Sequence, residues 1–220
     1  MTAPDLDVQL DDERPSRLPG WILPAILAGL LIVVSTIAVW LWQDARTPSS
    51  SSADAGFARD MTDHHAQAVE MAMIAWQRSE DPEIRQIAYD IATSQQAQIG
   101  MMQGWLMEWD LSLARDGNPM AWAEDASGDH DMENMETPGD MPGMLTRDQI
   151  DQLRTLDPIE MDVAFLQLMI EHHEGGVAMA EAGVELADSD VMNRLAATIV
   201  TAQTAEIATM QEMLAERESA

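Results

Sequence analysis

The sequence predicts an all-α protein: a four-helix bundle made of two repeated helical hairpins, carried on one N-terminal transmembrane helix. Three observations carry this expectation. A charge-free apolar run occupies residues 20–42. Residues 57–108 match residues 165–216 without a gap, at a shift of 108. The composition is rich in Ala, Met, Asp and Glu, with 1 Tyr, 2 Phe and no Cys, which favours helices over sheets. At 220 residues the chain suffices for one ordinary domain with appendages.

The elements follow in order. Residues 1–19 form an acidic tail whose composition predicts disorder. Residues 20–42 read GWILPAILAGLLIVVSTIAVWLW, long enough to cross a bilayer as a helix. Trp21, Trp40 and Trp42 stand at its ends, where aromatic rings favour the interface. The run is longer than a usual signal core and lacks a clear small-x-small cleavage site, so an uncleaved anchor is expected. Arg14 and Arg17 precede it and Arg46 and Arg59 follow, so the positive-inside bias is weak. The short tail places the N-terminus inside. The expected location is therefore the cell membrane, single-pass, with the C-terminal domain extracytoplasmic. Residues 43–55, with the run TPSSSSADA, form a Ser-rich tether.

In the internal repeat, 17 of 52 aligned pairs are identical. They include Phe57/Phe165, Met61/Met169, His64/His172, His65/His173, Met71/Met179, Gln95/Gln203 and Met102/Met210. Self-similarity of this kind implies two copies of one supersecondary unit. In the first copy (residues 56–110) one helix covers about residues 56–78. Ser79-Glu80-Asp81-Pro82 breaks it, and Pro82 opens a second helix reaching about residue 109. The apolar face of that helix follows Ile84, Ala88, Ile91, Gln95, Met102, Trp105 and Trp109. Residues 111–147 form a Met/Gly/Asp-rich crossover loop. Residues 148–220 hold a short helix, capped by Thr146 and Gln149, and the second hairpin, which turns at Ala187-Asp188-Ser189-Asp190. Two hairpins stacked face to face make a four-helix bundle.

The formal net charge is −28, and all 11 basic residues are Arg. Such a chain repels nucleic acid and attracts cations. Without cysteine, thiolate sites and cysteine nucleophiles are excluded, and any soft metal ligand must be one of the 18 Met. Four of the 5 His lie in the two His-His pairs. On a helical wheel His64 sits mid-way across the apolar face with Phe57, Met61, Ala68, Met71 and Ala75, and His65 at its edge. The second copy places His172 and His173 likewise. Neutral imidazole offers a metal one lone pair, and thioether sulfur is soft and preferred by Cu(I). The candidate ligands are thus Met61, His64, His65, Met71 and Met102, with Met169, His172, His173, Met179 and Met210, and copper is the expected metal. Gln95/Gln203 and Gln98/Glu206 intrude on the inner faces of the second helices. They can hydrogen-bond the other nitrogen of a ligating His or one another, and Glu206 can instead ligate directly. In the crossover, His130 with Met132, Met135, Met141 and Met144 forms a second Met-rich element.

The segment FLQLMIEHHEGGVAMA, from Phe165 to Ala180, resembles the signature of the bacterial domain-of-unknown-function 305 family: a Met, a His-His pair and a following Met-Ala in each of two repeats. Met61, His64, His65, Met71 and Ala72 fit it, as do Met169, His172, His173, Met179 and Ala180. The resemblance spans about residues 56–218. It implies a ferritin-like four-helix bundle, exported or membrane-anchored, and a role like that of members that bind copper outside the cytoplasm and aid copper tolerance. The second copy departs from the first with Gly175-Gly176 in place of Gln67-Ala68.

Two other readings stand beside copper binding. A di-iron enzyme of ferritin type uses Glu-x-x-His on two helices. Here Met61, Thr62, Met169 and Ile170 occupy the positions three before each histidine, where iron wants carboxylate. A structural or partner-binding module would use the histidines only for packing. No Ser-His-Asp arrangement, phosphate loop or nucleotide signature is present, so a non-enzymatic role is expected, with a metal ion and the membrane as partners.

Overall fold

A computed structural model describes residues 19–44, 47–115, 117–126 and 141–218. The acidic tail up to residue 18, and His130, Met132 and Met135 of the crossover, lie outside the described residues. Among the described residues the chain is helical and without strands. It divides into two compact units, Met1–Thr47 and Pro48–Ala220.

The first unit contains one helix, α1 (Ile22–Asp44). The stretch Ile22–Trp40 is long and apolar enough to cross a membrane. Leu23, Leu27, Leu31 and Val34 are among its exposed large side chains, and apolar exposure on this scale wants a non-aqueous solvent.

The second unit holds four long helices. α2 (Ala53–Arg78) starts a few residues before the expected residue 56, because the Ser52 hydroxyl accepts from Ala55 N and caps the first turn. α3 (Pro82–Glu108) is capped by Asp81, which accepts from Glu83 N at 2.8 Å, and has Pro82 in its first turn. The short α4 (Arg147–Leu153) carries the expected capping box of Thr146 and Gln149. α5 (Pro158–Leu186) and α6 (Asp190–Glu218) complete the set, broken at the expected turn.

α2 packs along α3, α5 along α6, and the two hairpins meet through α2 against α5. Two apolar clusters result. One gathers Ala68, Met71, Ile84, Ile91, Phe165 and Met169; the other gathers Phe57, Met61, Met102, Met179, Met192 and Ile199. On α2 the His-His pair falls between Met61 of one cluster and Ala68 of the other. On α5 it falls between Met169 and Met179, again one from each.

The crossover is fastened to this frame. Asp60, buried in α2, accepts from Met120 N at 2.7 Å and Trp122 Nε1 at 2.9 Å, tying down a 3₁₀ turn, Ala121–Ala126. Residues 141–145 return across α2 and α5 as a strap. Gln67 donates to Leu145 O at 3.0 Å and accepts from Leu145 N at 2.7 Å. Gly143 has φ +71, and a Cβ there would stand 2.8 Å from Glu171 O and 2.9 Å from His172 O. Only glycine accepts both that dihedral and that approach.

Candidate metal centre

All four paired histidines are fully buried. His65 and His173, expected at the edge of the apolar face, are as enclosed as His64 and His172, because the second helix of each hairpin covers that edge. The equivalent residues His64 and His172 meet, with ring centroids 3.9 Å apart and planes inclined at 36°. His173 lies 6.3 Å from His172, centroid to centroid.

The hydrogen bonds fix which nitrogen of three rings carries its proton. His64 Nε2 donates to Pro142 O at 3.0 Å. A carbonyl only accepts, so Nδ1 of His64 keeps the lone pair. His65 Nε2 donates to Gln98 Oε1 at 2.6 Å, and His173 Nε2 donates to Glu206 Oε2 at 2.8 Å. These are the bonds that the sequence pattern allowed for Gln98 and Glu206. Gln95 and Gln203 behave otherwise: both carboxamides are buried and neither has a hydrogen-bond partner. Gln203 Oε1 and His64 Cε1 crowd the same spot, since a Cβ on Gly176 would lie 2.3 Å from the first and 3.0 Å from the second. The Ala68→Gly176 difference between the copies makes room for that contact.

What remains is a set of ring nitrogens without a hydrogen-bond partner. Nδ1 of His64, His65 and His173 has no partner, and neither nitrogen of His172 has one of ordinary geometry. A buried polar group left unpaired costs about 1–3 kcal/mol, so each such atom calls for water or an ion. Burial holds three of these rings, those of His64, His65 and His172, in the neutral form. Burial, chiefly, lowers the pKa of His64 to about 3, with repulsion from His65 and His173 adding to it against the Pro142 bond. Burial lowers His65 to about 4 despite its bond to Gln98, and burial followed by the neighbouring His64, His173 and His65 takes His172 well below 6.5. Neutral imidazole is the form that ligates metal.

The six candidate methionines are all fully buried, but they divide. Met61, Met102 and Met179 share one apolar cluster; Met71, Met169 and Met210 share the other. Each cluster thus takes two Met from one repeat and one from its partner. His64 and Met71, which share a helix face, stand about 10 Å apart along the axis, too far for one ion. The structure adds what the pattern could not give. Met141 is buried in the Met61 cluster, Met144 packs against it, and the Pro142 carbonyl between them fixes His64. A backbone acceptor from a distant loop leaves no mark in the sequence. Among the described residues no three His, Asp or Glu side chains are disposed to hold one ion as they stand. Glu70 is engaged with Arg147 and Arg154 instead.

An all-helical protein with a buried layer of paired histidines between methionine-rich clusters defines the class. The chain belongs to the family of the domain of unknown function DUF305, whose model matches residues 54–214. It is similar to a protein of Streptomyces coelicolor described as a secreted DUF305 protein, with 46% identity over 77% of this chain and 96% of that one, TM-score 0.69. A DUF305 fragment from Deinococcus radiodurans is similar with 31% identity over 77% and 99%, TM-score 0.62. CopM in its Cu(II)-bound form is similar with 26% identity over 75% and 97%, TM-score 0.54, and CopM also has an Ag-bound form at 26% identity and TM-score 0.53. No curated protein matches the chain.

Proposed function

We propose that this protein binds copper in the bundle core, through the Nδ1 atoms of the paired histidines and neighbouring methionine sulfurs, and sequesters it outside the cytoplasm. The observation that carries the reading is the set of buried, unpartnered ring nitrogens: Nδ1 of His64, His65 and His173, and both nitrogens of His172. These donors fit a copper ion: imidazole suits both oxidation states, and thioether favours Cu(I). The partners already on Nε2 are of the kind that orient metal-bound imidazoles. The Cu(II)-bound form of CopM supports copper, and its Ag-bound form supports a soft monovalent ion. The α1 helix serves as a membrane anchor in this reading, and the secreted relative supports a domain outside the cytoplasm.

The test is Cu(I) titration of the full-length protein in mild detergent against a chromophoric chelator, beside the His64→Ala/His172→Ala variant. One or two tightly held ions, lost in a variant that keeps its helical circular dichroism, is the expected result. Equal binding by both proteins would overturn the reading and leave the histidines as packing residues.

A further inference from the structure

His65 and His173 occupy equivalent positions, and so do the residues that hold them. Gln98 and Glu206 are 108 positions apart, and each accepts from the Nε2 of its histidine. One backing group is a neutral amide and the other a carboxylate. The difference extends outward. Glu206 lines a groove of about 570 Å³ between α3 and α6 that also presents Glu83, Asp90, Glu212 and Glu216. At the corresponding positions of the other copy stand Val191, Thr198, Gly104 and Glu108, with Arg194 where the groove has Gln86. The repeat therefore preserved the histidines while concentrating negative charge behind only one of them. Its side chain is 23% exposed, whereas that of His173 is fully buried, so Glu206 reaches from the groove to the histidine layer.

We propose that Glu206 is the specificity-determining residue of the core: it makes the His173 side favour divalent copper, while Gln98 leaves the His65 side to the monovalent ion. This rests on the copper reading given above. A carboxylate on Nε2 puts a full negative charge one imidazole width behind Nδ1, where an amide puts only a dipole. Cu(II) carries one more positive charge than Cu(I), so the attraction it gains from that carboxylate is greater. A carboxylate partner also raises the basicity of the imidazole, which the harder ion exploits more than the softer one. Glu206 acts through His173 and is a positioning residue.

The experiment compares full-length wild type, Glu206→Gln, Glu206→Asp and Glu212→Gln in detergent, measuring Cu(I) and Cu(II) affinities by separate chelator competitions. Glu206→Gln is near-isosteric and keeps an acceptor for His173. It is expected to lose on the order of tenfold more affinity for Cu(II) than for Cu(I). The copper reduction potential then rises by about 59 mV, the one-electron equivalent of tenfold. Glu206→Asp keeps the charge and retains part of the preference. Glu212→Gln, in the same groove but without a bond to His173, leaves the ratio unchanged. Nitrogen-15 spectra of the metal-free protein supply an independent reading, with His173 expected to carry its proton on Nε2. Equal losses of both ions in Glu206→Gln, an equal shift in Glu212→Gln, or a proton on Nδ1 of His173 would overturn the proposal while the copper reading stands. No copper binding by wild type would remove both.

Discussion

His64 and His172 are neutral rings in contact, and their burial has a consequence for the metal-free protein. Above the ordinary value of 6.5, His64, His65 and His172 are uncharged in both folded and unfolded chains and contribute no pH dependence. Below it the unfolded chain takes up protons, while His64 stays neutral to about 3 and His65 to about 4. Stability therefore falls with falling pH, by about 1.4 kcal/mol per histidine per pH unit, and levels off below the folded values. Urea midpoints at pH 7.5 and 5.5 check this; the His64→Ala/His172→Ala variant should show a shallower decline. Glycine substitutions give a second prediction. A Cβ on Gly175 would stand 2.3 Å from the Pro142 backbone, so the strap must move. Overpacking costs about 1–3 kcal/mol, against about 1 kcal/mol gained in helix propensity. Gly175→Ala should destabilise, whereas Gly100→Ala, with nothing within 4 Å, should stabilise by about 0.5–1 kcal/mol. Thermal unfolding of the two variants decides the contrast.

At the scale of elements, the strap of residues 141–145 is held to α2 by Gln67 and to α5 by the close approach of Gly143 and Gly175. Gln67→Ala removes two neutral hydrogen bonds and should cost about 1–3 kcal/mol. Amide exchange at Leu145 should quicken, and exchange along α3 should not; equal quickening in both places would mean that the strap and bundle open as one. The methionine clusters make a different prediction. Met61 is fully buried where α2, α3 and α5 contribute side chains to one cluster. Met61→Ala should cost about 2–5 kcal/mol, while Met61→Leu should cost less than about 1.5 kcal/mol. If Met61 also ligates, Leu restores stability but not Cu(I) affinity, which separates packing from binding in a single pair of variants.

The whole molecule divides at residue 47, between an apolar helix and an acidic bundle. With α1 as an anchor, the full-length protein should stay in the membrane pellet after an alkaline carbonate wash, and external protease should digest the bundle in spheroplasts. Release of the bundle by the wash would mark α1 as a removed signal sequence. The net charge of −28 serves either outcome, because it keeps the domain soluble and raises the local concentration of cations.

The sequence by itself determined the helices, their breaks and the candidate ligands. Apolar periodicity, Pro82 and the Thr146 capping box are local signals, and local hydrogen bonds act on them directly. The 108-residue repeat singled out the histidine pairs and the six methionines before any geometry. It also marked Gln98 and Glu206 as polar intrusions that needed partners. Tertiary structure alone decided how these residues group. That His64 stacks on His172, that Met71 lies with Met169 and Met210, and that a Pro142 carbonyl holds His64 all depend on how α2 crosses α5 and where the crossover returns. Such contacts join positions about 80 to 140 residues apart, and helical spacing carries no information at that range. The burial of His65 and His173 belongs with them: a wheel places a residue on a face, but only the neighbouring helix decides whether that face meets water.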